Sequence, residues 1–170
     1  MRPAASVPLG LAALALLALS AGLAAAAGRA PADEPAATIA YPEGFRRWTH
    51  VSSGLVGPES PAYARFGGIH NIYANPAAME GYLGGGAFPD GSVLVFDRWH
   101  AAEAGPGGLG QGERGHVDVM VRSGGAWRYA EFVGPDRVPA ADVASEPQKV
   151  CGGCHARAPG GDGVFSAWRE

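Results

Sequence analysis

Residues 115–122 read GHVDVMVR, with valine at every second place, and few patterns restrict a backbone more. Successive side chains of a strand point to opposite faces. Val117, Val119 and Val121 therefore share one apolar face, and His116, Asp118, Met120 and Arg122 share the other. A helix would scatter those valines around its circumference. Ser123, Gly124 and Gly125 then turn the chain, and residues 127–133 (WRYAEFV) form a second β-prone run, so an antiparallel hairpin is expected.

Three earlier stretches carry related signals. Residues 92–100 (SVLVFDRWH) follow a Phe-Pro-Asp-Gly turn and put Leu94 and Phe96 on one face. Residues 69–74 (IHNIYA) stop at the turn dipeptide Asn75-Pro76, and residues 48–51 (WTHV) stop at Ser52-Ser53-Gly54. Pro76 suits a first helical turn, which predicts a short helix over residues 77–83, ended by Gly84, Gly85 and Gly86. Residues 105–115 are glycine-rich and read as a loop. Together these features predict a mainly β (α+β) fold, an antiparallel sheet of about five strands with short helices.

At the N-terminus, Met1-Arg2 precedes a leucine- and alanine-rich run over residues 9–19, and Ala24 to Ala27 offer small-residue cleavage sites. Residues 1–27 thus read as a secretory signal peptide, since the apolar run falls short of the ~20 residues needed to span a bilayer. Residues 28–40 are rich in proline, alanine and acids and read as a flexible leader; residues 41–170 are the expected domain. The formal net charge of -3 gives no reason to expect nucleic acid or a membrane surface as a partner.

Both cysteines of the chain and one histidine fall within five residues, Cys151-Gly152-Gly153-Cys154-His155. Two thiols at this spacing can each add to a vinyl group of one porphyrin, and the next residue can place an imidazole on its iron; this is the c-type haem attachment spacing. A redox dithiol, half of a zinc site and coincidence are the alternatives. A redox dithiol prefers a strand-to-helix setting, and a zinc site needs more thiolates or a histidine pair. Export favours haem, because in an oxidising compartment a CxxC disulfide would close only a short loop and stabilise little. The expectation is one covalent haem c in a periplasmic or otherwise exported protein.

Tyr41-Pro42-Glu43-Gly44-Phe45 before Trp48, GIHNIYANP at 68–76, FPDGSVLVFD at 88–97, the HVDVMVRS strand, the Trp127 strand and the late CGGCH followed by VFSAWRE resemble the cytochrome P-460 family. Beta-type cytochromes c′ share its superfamily. The resemblance implies a largely antiparallel β fold, a homodimer and one c-type haem held through Cys151 and Cys154, with His155 as proximal iron ligand. Enzymatic members attach a lysine to the porphyrin at the position of Phe96, so that crosslink cannot form here. They carry an arginine where this chain has His70, and a glutamate where it has Asp118. Phenylalanine at position 96 makes the distal side look more like beta-type cytochromes c′, which bind diatomic gases.

His70, Phe96 and Asp118 are therefore the distal-pocket candidates. Phe96 also reads as core packing, His70 as a solvent-facing strand histidine and Asp118 as a solvated carboxylate. His50, His100 and His116 have no positional support and are expected at the surface. Met79 and Met120 match no ligand position of the family. The expected function is binding of a diatomic gas such as NO or CO, or one-electron redox with a partner protein, with no catalytic residue assigned. Hydroxylamine or NO oxidation is the first alternative, and a six-coordinate electron-transfer cytochrome is the second.

Overall fold

The computed structural model describes residues 38–160 and 162–169. The expected signal peptide and nearly all of the expected leader lie outside these residues. Six strands form one antiparallel sheet in chain order: β1 (Thr49–Val56), β2 (Gly68–Ala74), β3 (Val93–Glu103), β4 (Leu109–Ser123), β5 (Ala126–Val133) and β6 (Val138–Pro139). The hairpin around Gly124 is present, with Ser123 paired to Ala126. Among the described residues, no helix is long and apolar enough to cross a membrane.

The glycine-rich stretch is not the loop that its composition implies. β3 and β4 stay paired as far as Glu103 and Leu109, and the turn is confined to Ala104–Gly108, where the Ala104 amide donates to the Gly108 carbonyl at 2.9 Å. Gly105 and Gly107 sit at φ 88° and 71°, in the left-handed region that favours glycine. Beyond the turn the glycines serve close packing: a Cβ on Gly112 would lie 3.0 Å from that of Ala102 across the ladder.

The helix after β2 forms as α2 (Pro76–Leu83), with proline in its first turn. Asn75 caps it, its Oδ1 accepting from the Ala78 amide at 2.9 Å and from Val93 at 3.0 Å, so one side chain ties the helix to the start of β3. Two further parts were not apparent from the sequence. A short helix, α1 (Tyr63–Phe66), lies in the β1–β2 connection. After β6 come α3 (Ala141–Ser145), a π-helical turn (Gln148–Gly152) and α4 (Gly153–His155), which carry the CGGCH motif.

Both faces of the sheet are covered. On one, Val95, Val117, Val119 and Phe132 pack with Phe45, and Ile39, from the stretch expected to be leader, packs against the same cluster. Each fully buried valine there contributes about 1.5–3 kcal/mol. Asp97, 0% exposed, closes this face by pairing with Arg46 at 2.9 Å and Arg114 at 3.0 Å, and both guanidiniums lie 4.7 Å from the Trp99 ring. The opposite face holds Val51, Leu94, Met120, Trp127 and Val164 at one end. At its other end it opens into a cavity.

Candidate functional site

The pairing register aligns side chains in rows on the open face. Ile72 lies opposite Phe96, Phe96 opposite Asp118, and Asp118 opposite Glu131. The Phe96 ring is the hub of an aromatic group. It stacks on His70 at 4.7 Å with 16° between planes, stacks on His116 at 6.2 Å, and meets the edge of Phe66 from α1 at 5.9 Å. Glycine at position 54 makes the His70 pose possible, because a Cβ there would come within 2.5 Å of the imidazole. Burial holds the His70 imidazole below its ordinary pKa, which keeps the ring neutral near pH 7, and its Nδ1 is buried without a hydrogen-bond partner.

The CGGCH segment is held over this face by bonds to β5 and to the following loop. Gln148 donates through Nε2 to the Trp127 carbonyl at 2.7 Å, tying the π-helical turn to the sheet. The Trp127 indole donates to the Asp162 carbonyl at 2.7 Å, while the Asp162 carboxylate accepts from the Phe88 amide at 3.1 Å and pairs with Arg122 at 3.2 Å. This fixes Gly163, whose carbonyl lies 2.7 Å from His155 Nδ1. A carbonyl only accepts, so Nδ1 carries the proton and Nε2 of the neutral ring presents its lone pair. Tyr129 and Phe165 flank the imidazole at 5.1 and 5.2 Å.

Cys151 is partly buried and Cys154 exposed, and both are free thiols. Burial, together with the negative charge of Asp118, pushes the Cys151 thiol up to about 11. Both cysteines and His155 line one cavity of about 1000 Å³ whose walls also include His70, Phe96 and Asp118. The CGGCH residues and side chains 33 to 85 positions before them are thus brought to a single space.

Sequence reasoning misjudged one histidine and passed over two other residues. His116, expected at the surface, is 7% exposed, because α1 covers its end of the sheet and Phe66 meets its ring at 5.9 Å. His50 and His100 are exposed. Glu131, opposite Asp118, pairs with Arg65 of α1 at 2.7 Å; burial and the neighbouring Asp118 hold its carboxyl above the ordinary range. Its strand face was readable, since it is shared with Asp118 two residues on, but the cover that α1 lays over that face was not. Arg65 lay in a stretch with no readable pattern. Met120 is buried in the core and reaches the cavity wall, and Met79 packs against the same core.

The antiparallel sheet thus frames one large cavity with an oriented imidazole and two thiols on its wall. The family model for Cytochrome P460 matches residues 42–166, and the chain belongs to that family. No curated protein matches the chain. Membership makes this a haem protein of the P460 and c′ kind. The residues present fit the group: the cavity is apolar over much of its wall, His155 offers a lone pair at a set tautomer, and both thiols are unpaired.

Proposed function

We propose that the chain is an exported monohaem c-type cytochrome that binds a small uncharged diatomic gas, NO or CO, and takes part in one-electron redox linked to it. The observation that carries this reading is the single cavity lined by Cys151, Cys154 and His155 together with Phe96, His70 and Asp118. Cys151 and Cys154 would hold the haem covalently, and His155 would be the proximal ligand through Nε2. Bound haem supplies an iron able to take a small ligand and to change oxidation state.

The distal side chains have distinct tasks. Phe96, stacked on His70 and backed by Phe66, is a rigid apolar wall that crowds large ligands and leaves room for diatomic ones. His70 is neutral and has an unpartnered Nδ1, so it can hydrogen-bond a polar ligand. Asp118 and Glu131 place carboxylates on the same wall, which disfavours anionic ligands. A homodimer, a redox partner protein and a periplasmic or otherwise exported location belong to the same proposal.

One observation favours the enzymatic alternative, oxidation of hydroxylamine or NO. Glu131, held above the ordinary carboxylate range by burial and Asp118, is suited to accept a proton from a protonated substrate. Phe96 in the crosslinking position weighs against it. Haem staining after denaturing electrophoresis tests the attachment. Stain should persist in the wild type and vanish in the Cys151→Ala/Cys154→Ala variant; staining that survives the double change refutes it.

A further inference from the structure

One cluster at the edge of the cavity, with Asp118 and Glu131 on its wall and His116 buried behind them, is built differently from the rest. His116 on β4, Asp118 two residues further on the same face, and Glu131 directly opposite on β5 each offer one ligand atom, and these atoms all lie within 4.8 Å of one another. His116 is 7% and Glu131 8% exposed. His116 Nε2 lies 3.3 Å from Asp118 Oδ2 yet is buried without a hydrogen-bond partner, and Asp118 Oδ1 is buried and unpartnered as well. Buried polar atoms left in this state are costly unless a further group lies between them. Neither is the imidazole free to turn aside, since Phe96 stacks on it and Phe66 meets it edge-on.

We propose that His116, Asp118 and Glu131 form a metal site for a divalent first-row transition ion, separate from the iron that His155 would hold. One imidazole and two carboxylates are a borderline to hard donor set, suited to zinc or ferrous iron. Such an ion binds nitrogen and oxygen at about 2.0–2.2 Å, so its donors stand roughly 3.4 Å apart and the present triangle needs only side-chain closure. Arg65 does not block it. Its guanidinium reaches Asp142 at 3.2 Å as well as Glu131 at 2.7 Å, so it stays paired when Glu131 turns to the ion. Three protein ligands leave a fourth position open, and Asp118 and Glu131 both line the cavity, so that position faces it.

The test uses the full haem-loaded chain, treated with chelator, with any free thiols alkylated, and dialysed against zinc. Elemental analysis is expected to give about one zinc per chain. His116→Gln and Asp118→Asn should each weaken zinc affinity by about tenfold or more, whereas His50→Gln at an exposed histidine should leave it unchanged. Far-UV circular dichroism and the haem spectrum establish folding, and partly exposed Asp118 carries the test if the His116 variant does not fold. Absence of bound zinc at millimolar concentration overturns the proposal, as does affinity indifferent to both substitutions. Haem content measured on the same samples reports separately on the haem reading. Zinc held through His116 in a chain without haem would sink that reading and leave this one standing.

Discussion

Replacing Phe96 with alanine separates packing from gating, because the two roles predict different readouts. The ring contacts His70 at 4.7 Å, Phe66 at 5.9 Å and His116 at 6.2 Å. Each such contact contributes about 0.5–1.5 kcal/mol beyond area burial, and truncating a fully buried phenylalanine costs about 3–5 kcal/mol. Phe96 is only partly buried and borders a cavity, so its loss enlarges an existing space and creates no sealed void. The expected cost is therefore about 2 kcal/mol, below the fully buried range. For a domain of this size that lowers the melting temperature by about 8 °C. As the proposed wall of the haem pocket, the ring would also limit what reaches the iron. Titration of the ferric protein with imidazole should show affinity raised by about tenfold or more in the variant, with CO affinity of the ferrous protein changed less. A melting temperature that falls as expected while imidazole affinity stays unchanged would show that Phe96 only packs.

Other parts of the account give separate expectations. Trp127→Phe removes the indole donor from the Asp162 carbonyl, leaving a part-buried acceptor unpaired and loosening the loop that orients His155. Chemical denaturation should register a loss of about 1–3 kcal/mol, and unchanged stability would discount that anchor. Glu131 gives a pH dependence. Its folded carboxyl titrates above the ordinary 4.5, so between 4.5 and its folded value the folded state binds more protons than the unfolded one. Stability then falls as pH rises through that window. Glu131→Gln should flatten this slope in melting curves taken from acid to neutral pH, and an unaltered slope would assign it to another group.

The alternating valines and the Asn75-Pro76 boundary were legible because a strand facing a core and a capped helix each impose a local pattern. The CGGCH motif stood out in the sequence because the c-type haem attachment spacing is a local pattern that does not depend on the fold around it. The length of β3 and β4 was not, because glycines at 110 and 112 that allow close strand approach look the same in sequence as glycines of a loop. His116 was misjudged for another reason. Alternation assigns side chains to two faces, but not which faces are covered, and here α1 lays Phe66 over the polar one. Glu131 acquires its character from Asp118 across the ladder and Arg65 across the cavity wall, both set by tertiary contact.

The most direct measurement is the absorption spectrum of the reduced protein, with and without CO. An unliganded ferrous haem c spectrum that shifts on adding CO, without the strongly red-shifted Soret band of a crosslinked haem, is the result expected of a haem held through Cys151, Cys154 and His155 and walled by Phe96. Absence of haem absorption, or a ferrous spectrum that CO leaves unmoved, would contradict it.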